Sequence, residues 1–64
     1  MGRYQNTKEY ITLDCEFVTQ TAAAWCVMID DEQQWIPKSV SFYMEGNTEI
    51  EVQQWFLDKN NINY

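Results

Sequence analysis

Apolar and polar residues alternate along several short segments of the chain, which is the pattern of β-strands with one buried face. The first such segment begins after Tyr10 and separates apolar from mostly polar side chains. Its apolar face would consist of Ile11, Leu13, Cys15 and Phe17. Its other face would consist of Thr12, Asp14, Glu16 and Val18. The segment therefore predicts a half-buried strand, followed by a turn at residues 19–21.

Residues 22–29 are continuously apolar and end at the acidic sequence Asp30-Asp31-Glu32. An apolar run of this length fits either a buried helical turn or a strand covered on both sides. Its Trp, Val and Ile content favours the strand, and the acidic sequence is typical of a hairpin turn. Residues 33–36 would form a short return strand that stops at Pro37, which has no amide proton to donate.

The last third of the chain predicts another strand, a turn, and a strand that continues into a helix. Val40, Phe42 and Met44 alternate with polar residues and Tyr43, so we expect them on the buried face. Residues 45–48 contain Gly46 and Asn47, which tolerate the positive φ of tight turns. Residues 49–52 alternate like a strand. Residues 53–59 are helix-like, and Val52, Trp55 and Phe56 would form one apolar stripe. The helix would end at Asn60-Asn61.

The predicted fold class is mainly β, or α+β. We expect a small curved antiparallel sheet, or an SH3-like or OB-like barrel, of four or five strands with one short C-terminal helix. Residues 10–64 would form a single domain and residues 1–9 a flexible N-terminal arm. Ten aromatic residues among 64 predict a thin aromatic core in which Trp35 and Trp55 are buried.

The charge balance restricts the classes of partner. Four Lys or Arg residues stand against ten Asp or Glu, with no His, so the formal net charge is −6. A surface this negative repels phosphate backbones, so direct nucleic-acid binding is disfavoured. The chain shows neither a signal peptide nor the roughly 20 apolar residues that a membrane helix needs. We therefore expect a protein of the cytoplasm without membrane contact.

The residues that could support catalysis or metal binding are few. General acid and base chemistry usually needs a His or a carboxylate pair in a cleft, whereas these carboxylates lie in turns or on polar strand faces. Asp30-Asp31-Glu32 resembles a solvated hairpin tip more than a cation site. Cys15 and Cys26 could form one disulfide, but they lie among apolar residues and we favour free buried thiols. The sequence predicts no enzyme, no cofactor and no metal.

The most distinctive local motif is Trp35-Ile36-Pro37-Lys38-Ser39, which follows an apolar strand and an acidic turn. With the block 50–56 and the terminal residues 60–62, it resembles a group of small uncharacterised bacteriophage proteins that carry a W-I/L-P-K-S sequence. The resemblance covers residues 22–62 and implies a phage origin but no mechanism. The sequence departs from the group at the turn, where Asp31 or Glu32 replaces the usual Gly, and at Val40, where Gln is frequent.

Our first functional hypothesis combines the acidic charge with the implied origin. An acidic phage protein could inhibit a host nucleic-acid-handling or defence complex, such as a CRISPR or restriction system, by covering its basic surface. The partner would be a host protein or protein–nucleic-acid complex. Lys38 is included among the candidate contacts as an isolated positive charge, although a solvated corner is the interpretation that we favour for it. The candidate partner-binding residues are Asp14, Glu16, Asp30, Asp31, Glu32, Lys38, Glu49 and Glu51.

Two alternatives come from other functional classes. The first is a small nucleic-acid-binding barrel that uses aromatic stacking and positive charge; its contacts would be Lys8, Lys38, Trp25 and Trp35. The second is a structural or assembly subunit, a homodimer joined along an exposed strand edge. Salt-dependent nucleic-acid binding would indicate the former, and a stable oligomer without a partner the latter.

Overall fold

Six β-strands and one short helix make up residues 9–64, the part of the chain that the computed structural model describes. The elements are β1 (Tyr10–Asp14), β2 (Glu16–Gln20), β3 (Ala24–Ile29), β4 (Glu32–Pro37), β5 (Ser41–Phe42), β6 (Glu49–Gln53) and α1 (Gln54–Lys59). The strands form two antiparallel sheets of three strands each, in the orders β1-β6-β5 and β2-β3-β4. The mainly β class with one C-terminal helix is therefore confirmed. The strand number is higher than predicted, and within residues 9–64 the two ladders do not close into a barrel.

The predicted flexible arm, residues 1–9, lies outside the described residues except for Glu9. The carbonyl of Glu9 accepts a hydrogen bond from the Gln54 amide at 2.9 Å. This bond attaches the start of β1 to the start of the helix.

The single long strand predicted after Tyr10 is divided at Cys15 into β1 and β2. The alternation itself is confirmed, because Leu13 and Cys15 are buried while Asp14 and Glu16 are exposed. β1 pairs with β6, and β2 pairs with β3. The Cys15 amide donates to the Thr48 carbonyl at 2.8 Å, which extends the β1–β6 register by one pair before the chain enters β2. Cys15 is thus the point where the chain passes from one sheet to the other.

The turn between β2 and β3 lies two residues later than predicted. Thr19 and Gln20 belong to β2, whose pairing with β3 shifts register between Phe17 and Thr19. Thr21 then closes the turn, since its hydroxyl oxygen accepts hydrogen bonds from the Ala23 and Ala24 amides. A local side-chain bond of this kind satisfies amides that no strand has yet paired.

β3 and β4 form a regular hairpin with an uninterrupted register from Ala24–Pro37 to Ile29–Glu32. The strand prediction for the apolar run is confirmed. The hairpin turn consists of Asp30 and Asp31 alone, whose φ angles are 54° and 66°. Two consecutive positive φ angles define the type I′ turn, which matches the twist of the flanking strands.

Residues 38–44 contain the main error of the sequence prediction. Pro37 is followed by a short 3-10 helix, Lys38–Val40, and β5 has only two residues. This helix reverses the phase of the alternation, so Ser41 is buried while Phe42 is 61% and Met44 69% exposed. The Ser41 hydroxyl donates to the Pro37 carbonyl at 2.8 Å, which satisfies it inside the core.

The remaining turn and the helix end lie where the sequence predicted them. Gly46 adopts a φ of 93°, which confirms the turn at residues 45–48. At the end of α1, Asn61 has a φ of 58°. The Ile62 amide donates to the Leu57 carbonyl at 2.9 Å, and the Asn61 amide donates to the Asp58 carbonyl at 3.3 Å. These two bonds form a Schellman motif.

The core between the two sheets and the helix is aliphatic, whereas we predicted an aromatic one. Trp35 and Trp55 are 48% and 46% exposed. On the helix, Leu57 is fully buried in place of Trp55, so the predicted apolar stripe is displaced. The core residues are Leu13, Cys15, Val27, Ile29, Ile36, Val40, Ile50, Val52, Leu57 and Ile62.

Within residues 9–64, no helix has the length and apolar character needed to cross a membrane.

Candidate functional site

The outer face of the β1-β6-β5 sheet carries negative charges in adjacent positions. In the β1–β6 register, Asp14 lies directly opposite Glu49, and Thr12 lies opposite Glu51. The side chains of paired residues point to the same face of a sheet. Ile50 and Val52 point to the core, so the three carboxylates share the solvent face.

Four of the predicted contact residues surround an open depression of about 470 Å³ at one end of the two sheets. Asp14 and Glu16 border it from the chain that crosses between the sheets, and Asp30 and Asp31 border it from the β3–β4 turn. Cys15 and Met28 contribute to its wall. The crossing at Cys15 and the tight turn therefore bring together residues that are far apart in the sequence.

A second depression, of about 370 Å³, lies beside the first and shares Thr48 with it. Glu49 and Glu51 line it together with Phe42 and Met44. Phe42 and Glu51 are direct partners in the β5–β6 register, so an exposed aromatic ring lies next to a carboxylate. We use the term acidic face for the surface formed by Asp14, Glu16, Asp30, Asp31, Glu49 and Glu51.

The Cys15 thiol is the nucleophile candidate nearest to the acidic face. Burial raises the pKa of Cys15 above its usual value of 9.0, and the Asp14 and Glu49 carboxylates raise it further, while a hydrogen bond with Tyr43 opposes them. Burial is also the main reason that the pKa of Tyr43 is raised. A thiol that stays protonated is a poor nucleophile. Cys15 and Cys26 are both buried and free, as predicted.

The acidic face contains several carboxylates, but no arrangement typical of a metal site is found among the described residues. Among residues 9–64, no group of three or more Cys, Asp or Glu side chains is arranged to hold a metal ion. The depressions are open to solvent, which suits contact with a second macromolecule more than enclosure of a small ligand.

Of the two remaining predicted contact residues, Glu32 borders the acidic face and Lys38 lies apart from it. Glu32 lines a smaller depression of about 110 Å³ that it shares with Asp30 of the acidic face. Lys38 is engaged within the chain, because its Nζ atom lies 4.3 Å from the centre of the Trp25 ring and donates to the Gln20 side chain at 2.7 Å. The site predicted from the sequence therefore consists of one acidic surface, with Glu32 at its margin, and the separate residue Lys38.

The aromatic residues of the nucleic-acid alternative do not form one stacking surface. Trp25 pairs with Ile36 and so points to the core side of the β2-β3-β4 sheet. Trp35 pairs with Cys26 and points to the outer side. Lys38 accompanies Trp25 only, and Lys8 lies outside the described residues. This arrangement does not favour the nucleic-acid alternative.

Phe42 and Met44 are the site residues that the sequence analysis missed. Their alternation with Ser41 and Tyr43 indicated burial, but the 3-10 helix after Pro37 exposes them. The available signal was Pro37 itself, because a proline that ends a strand often precedes a change of backbone direction.

No family model, curated protein or solved structure matches this chain.

Proposed function

We propose that this chain is a non-enzymatic protein-binding module whose acidic face covers a basic surface of its partner. The observation that supports this is the position of six carboxylates around two connected depressions, beside the exposed side chains of Phe42 and Met44. An acidic surface would steer the protein towards a positively charged partner. The two apolar side chains would add the desolvated contacts that such a complex needs for affinity.

The partner that fits this surface is a host nucleic-acid-handling or defence complex, such as a CRISPR or restriction system. Lys and Arg residues that hold nucleic acid form the basic surfaces on which an acidic protein can compete with phosphate. The phage origin rests on the resemblance of Trp35-Ile36-Pro37-Lys38-Ser39 to the W-I/L-P-K-S sequence of small phage proteins. Inhibition would occur in the host cytoplasm and would require neither a cofactor nor catalysis.

The test is a pull-down from nuclease-treated bacterial lysate with the full chain as bait, at low and at high salt. The proposal expects a protein that itself binds nucleic acid, retained at low salt and released by added duplex DNA. The double variant Glu49→Gln/Glu51→Gln should lose that protein. The matched control Glu45→Gln/Asp58→Asn removes two charges outside the acidic face and should retain it.

Two results would overturn the proposal. One is equal loss of the partner in both double variants, because binding would then depend on net charge alone and not on the acidic face. The other is that no retained protein is released by DNA, because the partner surface would then not be one that holds nucleic acid.

A further inference from the structure

We propose that the N-terminal segment, residues 1–8, docks on the acidic face of its own chain, where a partner must displace it. The docking is measurable without a partner, whereas its regulatory consequence rests on the proposed function. Three observations support the docking: the distribution of charge along the chain, the exposed apolar side chains beside the acidic face, and the point at which the segment enters β1.

Positive and negative charges are separated along the chain. Residues 1–8 contain two of the four basic residues, Arg3 and Lys8, and none of the ten acidic residues. The six carboxylates of the acidic face all lie in the part of the chain that follows. Lys38 already contacts Trp25 and Gln20. The segment therefore has the charge that complements the acidic face.

The acidic face is bordered by apolar side chains that an occupant with charges alone would leave exposed. Phe42 and Met44 are largely exposed, and with Glu49 and Glu51 they line the depression of about 370 Å³. The segment has an aromatic residue, Tyr4, directly after its first cation. A cation beside an aromatic ring matches a surface on which carboxylates lie next to exposed apolar side chains.

The segment enters the fold at the margin of this depression. Tyr10, the first residue of β1, packs against Phe42 with 4.9 Å between the ring centroids. The Gln53 side chain donates to the Tyr10 hydroxyl at 3.1 Å. The Gln54 amide donates to the Glu9 carbonyl at 2.9 Å. These contacts hold the point from which residues 1–8 extend.

Eight residues are long enough to reach the carboxylates. A strand rises about 3.3 Å per residue, so Glu51 lies about 7 Å and Glu49 about 13 Å beyond the level of Tyr10 along the sheet. Residues 1–8 span at most about 26–29 Å. A reversal of chain direction before β1 uses a few of these residues and still brings Arg3 to Glu49.

The docking is weak and depends on salt. Exposed ion pairs contribute little individually, but attachment to the chain gives the segment an effective concentration in the millimolar range at the acidic face. At 0.5 M salt the Debye length is about 4 Å, so the segment is released. A partner that presents several basic residues on one surface displaces it in the same way.

Paramagnetic relaxation in NMR tests the docking on the full chain. A nitroxide is attached at Gly2→Cys; the two native thiols are buried, so position 2 is the reactive one. At low salt the label should broaden the amide signals of positions 49 and 51. The indole signal of Trp35, on the outer side of the other sheet, is the reference and should stay sharp.

The broadening should disappear in 0.5 M salt and in the double variant Glu49→Gln/Glu51→Gln. Equal broadening at position 49 and at Trp35, or broadening that persists in the double variant, would overturn the docking. A third result would also overturn it. If the spin-labelled chain broadens the signals of an isotope-labelled chain without a nitroxide, the occupant is the segment of a second copy.

The regulatory consequence is measured with an octalysine peptide as the basic probe. Arg3→Gln/Lys8→Gln should bind the peptide about threefold more tightly than Lys38→Gln/Lys59→Gln, which removes the same charge outside the segment. Equal affinities of the two variants would overturn the displacement. If no variant binds the peptide, the proposed function fails, while the relaxation measurement still decides the docking.

Discussion

Asp14 and Glu49 lie directly opposite each other on the paired strands β1 and β6, with both side chains on the solvent face. Glu51 lies one same-face position further along β6, beside Thr12 and Phe42. Facing like charges destabilise a strand pair. The protein therefore keeps an arrangement that lowers its own stability at the surface that we propose for partner binding.

Removing one charge of this pair should stabilise the isolated protein. We expect Glu49→Gln to raise the free energy of unfolding by about 0.5 kcal/mol, because the repulsion with Asp14 disappears while the side-chain shape is kept. Urea denaturation at low salt measures the change. The gain should shrink at high salt, where the repulsion is already screened. Glu45→Gln, in the turn before β6, is the control and should leave stability nearly unchanged.

The type I′ turn predicts a second stabilising change. Asp31 occupies the second turn position with a φ of 66°, where glycine is strongly preferred. We expect Asp31→Gly to raise the free energy of unfolding by roughly 0.5–1 kcal/mol. Asp31→Asn removes the charge but keeps a side chain, so thermal denaturation of both variants separates the backbone effect from the electrostatic one. If Asn and Gly stabilise equally, the backbone explanation is wrong.

Truncating a buried side chain of α1 should lower the free energy of unfolding far more than truncating an exposed one. Leu57 is fully buried, so Leu57→Ala should cost 2–5 kcal/mol, roughly the range for large-to-small core changes. Trp55 is half-exposed, with its Nε1 atom donating to the Gln53 side chain at 2.6 Å, so Trp55→Ala should cost about 1 kcal/mol. Guanidinium unfolding curves would give both values. A larger loss of stability for Trp55→Ala than for Leu57→Ala would instead support the aromatic core that the sequence predicted.

The helix end depends on the left-handed conformation of Asn61. Asn61→Ala should lower the free energy of unfolding by about 1 kcal/mol, since alanine disfavours a positive φ. Asn61→Gly should be neutral or stabilising, because glycine adopts this conformation without a steric penalty. Asn63→Ala, on the exposed tail that follows, serves as the control. Thermal midpoints of the three variants provide the comparison, and an equal loss for Ala and Gly would contradict the Schellman motif.

Cys15 predicts a loss of stability in alkaline solution. The folded protein raises the pKa of this thiol above 9.0, mainly through burial, so the unfolded state releases the proton first. The stability that the protonated thiol contributes is fully present below about pH 9. It is lost as the pH rises through the pKa of Cys15 in the folded protein. Tyr43, whose pKa is also raised, extends the same trend to higher pH. Urea unfolding as a function of pH measures the decline.

Cys15→Ala is the variant that isolates this contribution. It will be less stable at neutral pH because of the lost packing, but its stability should fall less steeply between pH 9 and 10. Parallel curves for wild type and Cys15→Ala would show that the thiol does not cause the alkaline loss.

The sequence by itself determined the features that depend on local patterns. Period-two alternation located β6 and, as one continuous strand, β1 and β2. The positive-φ tolerance of Gly and Asn located the turn at Gly46, and the pair Asn60-Asn61 located the helix end. The concentration of negative charge was also evident from composition. These features follow from backbone preferences and side-chain types, which act over a few residues.

Only the tertiary structure decided which apolar side chains are buried and which carboxylates share a surface. The 3-10 helix after Pro37 moved Phe42 to the solvent face, and the small space between the sheets was filled by aliphatic residues in place of Trp35 and Trp55. The pairing of β1 with β6 placed Asp14 beside Glu49, which lies 35 positions later in the chain. The physical reason is that long-range pairing and core volume are properties of the whole chain, and alternation within a segment does not contain them.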